Sequence, residues 1–302
     1  MEEGNSRKIL EASDISYLIP IRNAAREIAK CLQTIESKDI NSIILVDDNS
    51  TDDTLEILRK FNDKRIKVVS SNGFGISDAL NTGLDTIDAK AIFRLDIDDQ
   101  NIAGRDLKYI DILNRLNPDV IFSNASIYPK WKELIRPRVF KSTESEDLEW
   151  LLLVSNVLIH PTAGFNMQNI SSLRYEKEDG IEDYLLWIKL LREGKKFHLI
   201  HDDTIIYDRS RSFLTEFSSR QKRISSTALR SFENFQFDKI GSVSSHGARY
   251  ALSGGSSRVK MAGVVLYYIR ITSKAPRRVL ANLVLNQSIM ILKGLIWGRR
   301  KF

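Results

Sequence analysis

Residues 14–219 predict an α/β domain on a mainly parallel sheet, and three observations carry that prediction. Short β-branched runs alternate with segments of helical period, the order expected when helices cross over between parallel strands. The run at 42–46 is continuously apolar, as in a strand buried on both faces. Acidic residues cluster at the ends of two predicted strands, which is where open α/β sheets hold their ligands.

The elements follow in order. Residues 15–20 read as the first strand, and 24–37 as a helix with Ile28, Leu32 and Ile35 on its inner face. After the strand at 42–46, Ser50 is placed to cap a helix with Asp53 three residues on, and Leu55, Leu58 and Phe61 line its inner side. A third strand at 65–70 meets the turn Asn72-Gly73-Phe74-Gly75, which opens a helix carrying Ala79, Leu80, Gly83 and Leu84. The fourth strand, 91–95, runs straight into Asp96-Ile97-Asp98-Asp99. A helix at 107–116 and a strand at 120–123 come next, then a Pro- and Lys/Arg-rich stretch, 128–140, read as an excursion at the sheet edge. Helices are expected at 146–154 and 181–192, and strands at 159–165, 197–200 and 204–207. No internal repeat is found.

With 302 residues, 42% hydrophobic and 28% charged, the chain is neither disordered nor fibrous. A single cysteine, Cys31, excludes a disulfide framework and a cysteine zinc cluster, and it reads as a small packing residue. Residues 1–13 are polar and acidic with no apolar run, so no signal peptide is expected and the active domain is expected in the cytoplasm. Charge is divided unevenly: residues 221–302 carry 15 Lys and Arg against 2 Asp and Glu, while residues 1–220 carry 30 against 37. The basic segment therefore calls for an anionic partner.

Two acidic groups on one rim, Asp47-Asp48 and Asp96/Asp98/Asp99, repel one another unless a divalent cation or a ligand's hydrogen-bond donors intervene. An Asp-x-Asp at a strand end suits Mg²⁺ or Mn²⁺, which also bridges phosphates. The other reading is that these aspartates cap turns and helices; it stays open for Asp47, whereas three acids on one turn exceed what capping needs. Neither group is an EF-hand. A loop counted from Asp47 has Asp52 at position six and Leu58 at twelve, and one counted from Asp96 has Asn101 and Leu107 there. Gly73-Phe74-Gly75 lacks the third glycine of a dinucleotide fingerprint, and no Gly-Lys-Ser/Thr phosphate loop occurs.

Several segments together resemble the family 2 glycosyltransferases, which have the GT-A fold. They are Pro20-Ile21-Arg22-Asn23, the run from Val46 to Thr54, Gly75 followed by Ala79-Leu80-Asn81-Thr82-Gly83, Leu95-Asp96-Ile97-Asp98-Asp99, the stretch from His160 to Phe165, and Gly180 to Trp187. The resemblance covers about residues 14–210 in the family's order. It implies a nucleotide-sugar-binding half at 14–100 and an acceptor-binding half at 101–219. It also implies that Pro20 and Arg22 line the nucleotide pocket, that Asp48 accepts a hydrogen bond from the base, and that Asp96 sits near the donor's ribose or sugar. Asp98 and Asp99 would hold the metal, Mn²⁺ or Mg²⁺, and Asp183 would be the general base with Glu182 beside it on the acceptor side. The donor implied is a nucleotide-diphosphate sugar, UDP-linked, and the acceptor a glycan or polyprenyl-linked hydroxyl of surface-polysaccharide synthesis. Leu80 stands where many members have arginine, and the Gln-x-x-Arg-Trp motif of processive members is absent, which points to transfer of one sugar.

Read without the resemblance, Glu182 and Asp183 are also ordinary first-turn acids of a helix. His160 is either an acceptor-side contact or a hydrogen-bonded core histidine. His198 and His201 face opposite sides of a regular strand, and Trp131, Trp150 and Trp187 read as core side chains or as sugar-stacking rings.

The segment 220–302 is expected as a basic helical appendage, with a Ser/Gly-rich linker at 241–257 and apolar stretches at 261–269 and 279–297. Asn282, Asn286, Gln287, Ser288 and Lys293 make the second too polar to span a bilayer, so an interfacial helix on the anionic inner face of the cell membrane is expected. Nucleic acid would use the charge but not the apolar faces, and is not expected. Packing of these helices on the catalytic domain is the other reading. The rival functions are a nucleotidyltransferase, which would need a Gly-rich basic loop after the first strand, and a non-catalytic scaffold, which would not need Asp98 or Asp183.

Overall fold

The central strand β1 (Ile15–Ile21) is buried over six of its seven residues, because it runs between β2 (Ser42–Asp47) and β4 (Ala91–Arg94) with parallel pairing to both. The computed structural model describes residues 9–129, 148, 152, 156–178 and 180–210. Around β1 the described strands form one eight-stranded sheet, β3-β2-β1-β4-β7-β6-β8-β5, with β3 Ile66–Ser70, β5 Gln100–Asn101, β6 Val120–Tyr128, β7 Gly164–Asn166 and β8 Phe197–Asp208. Four of its seven pairings are parallel and three, β4–β7, β6–β7 and β5–β8, are antiparallel. The predicted mainly parallel α/β class is thus present, with the antiparallel turnover confined to the half beyond β4.

Helices α1 (Ile28–Leu32), α2 (Thr54–Arg59), α3 (Ile76–Thr86) and α4 (Arg105–Leu116) alternate with the strands. Apolar residues of α1 and α4 join β1 and β2 in one core, where Tyr17, Phe93 and Tyr109 meet edge to face at 5.9 and 5.2 Å. Helix α3 lies close on β1 and β2 through Gly83. A methyl there would stand 2.2 Å from Leu18 Cδ1 and 2.9 Å from Val46 Cγ2, both side chains being fully buried. Gly83→Ala is therefore expected to cost about 1–3 kcal/mol as overpacking. Thermal unfolding checks this, and an unchanged midpoint would show that α3 can shift outward.

The chain divides into two units, one of Met1–Tyr128, Ile159–Leu186 and Lys195–Asp208, the other of Pro129–Leu158, Trp187–Gly194 and Arg209–Phe302. The first holds the whole sheet. In the second, described residues include Leu152, Val157 and Leu158, all buried, and Trp187–Arg192 of helix α5 (Glu182–Arg192).

Four local expectations are corrected. The helix expected at 24–37 is only Ile28–Leu32, because tertiary partners claim its ends. Ala24 N–H donates to Thr54 Oγ1 at 2.7 Å, while Thr34 Oγ1 turns back onto Cys31 O and accepts from Asn101 N–H. Ser50 does not cap α2, which starts at Thr54; its hydroxyl accepts from Asn23 N–H at 2.9 Å, and Asp52 takes Thr54 N–H. The strand expected at 159–165 begins as a 3-10 turn, His160–Thr162, since Pro161 has no N–H for a ladder. The strands at 197–200 and 204–207 are one strand, β8, whose register against β6 shifts around Asn124 and lets residues 201–202 bulge into solvent. The expected excursion past residue 129, the helix at 146–154 save for Leu148 and Leu152, Trp131, Trp150, the linker at 241–257 and the apolar stretches of the tail lie outside the described residues.

Candidate active site

The carboxyl ends of β1, β2 and β4 lie side by side in the sheet, and each carries a predicted site segment. At the end of β1, Pro20 pairs with Val46, while the β4 register ends at Leu18–Arg94. The missing N–H of the proline therefore costs no ladder bond on the β4 side. Arg22 is exposed and its Nη1 lies 3.4 Å from Asp48 Oδ2. Asp48 is buried and receives Gly75 N–H at 3.1 and 3.2 Å on its two oxygens. Gly75 has φ +93°, a value that glycine adopts without a steric cost.

Two asparagines with positive φ, Asn23 (+49°) and Asn49 (+58°), tie these loops together. Asn23 Oδ1 accepts Thr51 N–H at 2.8 Å, and Asn49 Nδ2 reaches Gly73 O at 3.3 Å. Asp47 serves the turn that follows β2: both its carboxylate oxygens stand 3.3 Å from Ser50 N. Leu80 is wholly buried and offers nothing to a diphosphate, while Phe74 beside Gly75 is 76% exposed.

At the end of β4 the carboxylates of Asp96, Asp98 and Asp99 each place an oxygen within 4.8 Å of the others. Asp99 is fully buried; its Oδ1 accepts Asp208 N–H at 2.8 Å and its Oδ2 has no hydrogen-bond partner among the described residues. Burial, with the Asp96 and Asp98 charges adding to it, pushes the Asp99 carboxyl well above the usual range. Burial likewise raises the Cys31 thiol, with the same three acids adding, so this cysteine is an inert packing group under the turn.

Two buried arginines back this acidic turn, and the sequence reading missed both. Arg94 is wholly buried; its Nη2 donates to Asp96 Oδ1 at 2.6 Å and its Nη1 to the carbonyls of Leu18 and Leu95. Arg105 donates to Asn101 Oδ1 at 2.7 Å and to Arg94 O and Pro161 O, with its guanidinium over the rings of Tyr17 and Tyr109. The signal for Arg94 was present in the sequence, a lone cation inside the apolar run Ala91-Ile92-Phe93-Arg94-Leu95.

The remaining predicted residues are buried as well. His160 lies 2.8 Å through Nε2 from the Tyr175 hydroxyl and 3.3 Å from Arg94 Nε. Glu182 accepts Gly180 N–H at 2.6 Å, and Asp183 accepts Tyr184 N–H at 2.7 Å. Tyr175, which no sequence pattern singled out, shows how these groups converge. Burial raises its phenol above the usual range, Arg94 opposes the rise, and Glu182, Asp183 and Asp96 add to it. Acids separated by more than 80 residues thus act on one side chain. The site therefore has a cluster that can take a divalent cation, a carboxylate pair at a helix start, and a buried carboxylate, Asp48, held by Gly75 N–H.

The family model described as Glycosyl transferase family 2 matches residues 16–173. The UDP-Glc:alpha-D-GlcNAc-diphosphoundecaprenol beta-1,3-glucosyltransferase WfaP of Escherichia coli is 26% identical over 185 residues, 60% of this chain and 72% of that protein. Among solved structures, the mannosyltransferase PcManGT of Pyrobaculum calidifontis in complex with GDP-Man and Mn²⁺ aligns with a TM-score of 0.58 at 16% identity, covering 91% of this chain and 86% of that one. S. aureus TarS 1-349 in complex with UDP-GlcNAc aligns with a TM-score of 0.54 at 15% identity, covering 93% of this chain and 89% of the other. At such identities the two structures speak to the fold.

Proposed function

The chain belongs to glycosyl transferase family 2 and is a glycosyltransferase, and from that premise we propose that it moves one sugar from a nucleotide-diphosphate donor, UDP-linked, to a hydroxyl of a polyprenyl-linked or glycan acceptor, with inversion. The observation that carries the reading is the acidic cluster at the carboxyl end of β4, where Asp96, Asp98 and Asp99 each offer an oxygen within 4.8 Å of the others and Asp99 Oδ2 is buried with no hydrogen-bond partner among the described residues. Arg22 and Pro20 line the nucleotide pocket. Asp48, whose oxygens are already fixed by Gly75 N–H, accepts one more hydrogen bond from the base.

Asp96 faces the ribose or sugar. Asp98 and Asp99 hold a divalent cation, Mn²⁺ or Mg²⁺; the buried unpartnered Oδ2 of Asp99 fits one, because three clustered carboxylates repel until a cation neutralises them. When bound, such an ion supplies neutralisation of the charge that develops on the leaving diphosphate. Asp183 takes the acceptor hydroxyl's proton as its oxygen attacks the anomeric carbon. It stands in the first turn of α5, beside Glu182. One displacement with one base leaves the anomeric centre inverted. Glu182 and His160 stand on the acceptor side, Glu182 by holding Gly180 N–H and so the approach to α5.

The name of the E. coli relative supports a polyprenyl-diphosphate acceptor. Among the described residues no helix is long and apolar enough to cross a membrane. The basic segment 221–302 attaches the enzyme to the anionic inner face of the cell membrane, at about 1 kcal/mol per nearby Lys or Arg, where such acceptors lie.

Calorimetric titration of a panel of UDP-, GDP- and dTDP-sugars, with Mn²⁺ and with chelator, tests the reading. One donor is expected to bind only with the metal. Absence of binding for every donor under both conditions would return the protein to the scaffold reading.

A further inference from the structure

Arg94 is a guanidinium buried to 0% exposure at the end of a central strand, a costly placement that needs every N–H directed. Its hydrogen bonds reach four groups. Nη1 holds the carbonyls of Leu18 and Leu95, Nη2 holds Asp96 Oδ1, and Nε donates to His160 Nε2. A guanidinium N–H can only donate, so in this contact His160 Nε2 is the acceptor. The Tyr175 hydroxyl lies 2.8 Å from the same nitrogen, with the two rings 5.4 Å apart. Tyr175 is in turn clamped at the backbone: its N–H donates to Asn81 Oδ1 and its carbonyl accepts from Asn81 Nδ2, both at 2.9 Å. A chain therefore runs from Asn81 on α3 through Tyr175, His160 and Arg94 to the carboxylate of Asp96.

We propose that Arg94, oriented by His160 and Tyr175, is a positioning residue that holds Asp96 by one oxygen and leaves the other to contact the sugar that the donor transfers. This rests on the donor-site reading above. The chain accounts for the burial of His160 and Tyr175 and for why a lysine would not serve. A single ammonium cannot hold two carbonyls, an imidazole and a carboxylate from one place.

The test compares wild type, Arg94→Lys, Tyr175→Phe, His160→Gln and the Tyr175→Phe/His160→Gln double variant. UDP and the UDP-sugar selected by the donor panel are the ligands, both with Mn²⁺. Calorimetry reads affinity, steady-state kinetics read kcat and KM, and circular dichroism reads folding. Arg94→Lys is expected to bind UDP within about twofold of wild type, to lose the sugar's added affinity, and to drop kcat by about ten- to a hundredfold, the scale of a small misplacement in a site. Tyr175→Phe is expected to lower kcat by about three- to tenfold, and to add nothing in the His160→Gln background, because the two act through one chain.

A folded Arg94→Lys with wild-type kcat and sugar affinity overturns the proposal. So does an equal loss of UDP and UDP-sugar affinity, which is what a structural role would give. If Arg94→Lys does not fold, the Tyr175 and His160 variants decide, and additive effects overturn the proposal. A wild-type protein that binds neither UDP nor any sugar nucleotide overturns the functional reading and this inference together. One that binds UDP-sugar while the variants behave as wild type overturns this inference alone.

Discussion

Asp183→Asn is expected to lower kcat by about 10²–10⁴-fold, the range a positioned general base contributes, while donor affinity stays within about twofold. The substitution is close to isosteric. It keeps an oxygen to accept Tyr184 N–H, so the first turn of α5 retains its local hydrogen bond and the protein its fold. What the amide lacks is the ability to take a proton. Acceptor hydroxyls are far too weakly acidic to attack an anomeric carbon without a base beside them, so the loss falls on the chemical step. Glu182→Gln provides the contrast. Its carbonyl still accepts Gly180 N–H, and kcat is expected to fall less than tenfold. Initial rates with labelled donor, at saturating donor and varied acceptor, separate the two. Loss of less than tenfold in Asp183→Asn would move the base elsewhere in the site.

The second large effect is expected at the acidic turn. Asp98→Ala removes one of three clustered carboxylates, and metal-supported binding of the donor diphosphate should fail with it. Charge neutralisation of that kind is worth several kcal/mol in the transition state, so transfer should fall by about 10²–10³-fold. Excess chelator should have the same effect on wild type and little further effect on the variant.

Asp99 adds a pH dependence of fixed sign. Its folded pKa is raised, chiefly by burial and then by Asp96 and Asp98. Between the ordinary carboxylate value and that raised value, the folded protein carries a proton that the unfolded chain does not. Metal-free stability therefore falls as pH rises through this window. Metal affinity rises over the same window, because the ion must displace the proton. Asp99→Asn should flatten the first dependence and weaken metal binding throughout. Titration of Mn²⁺ at several pH values in two buffers of different ionisation enthalpy counts the proton released, and an affinity that does not change with pH would show Asp99 ionised before metal arrives.

Much of the fold was legible from local pattern. The apolar runs predicted β1, β2 and β4 to within a residue or two, since a strand buried on both faces must be largely apolar, while the edge strand β3, with no buried residue, was marked by its β-branched Ile66, Val68 and Val69. The α3 helix was set by Ala79, Leu80, Gly83 and Leu84, all buried where the period put them. Element boundaries failed where a partner far along the chain took a backbone group. Thr54 and Asn101 trimmed α1, and Asn23 took the hydroxyl expected to cap α2.

The candidate site divides in the same way. Strand-end acids, the turn at Gly75 and the acid pair opening α5 are written in neighbouring residues, and their order carries the resemblance to the family 2 glycosyltransferases. The response to their repulsion is not local. Arg94 reaches His160 across 66 residues, Asn81 reaches Tyr175 across 94, and Arg105 reaches Pro161 across 56. A hydrogen bond between distant residues leaves no period or spacing in the chain, and only the closing of the sheet decides which buried donor meets which carboxylate. Sequence alone therefore determined which charges the strand ends carry, and tertiary structure decided how those charges are held in place.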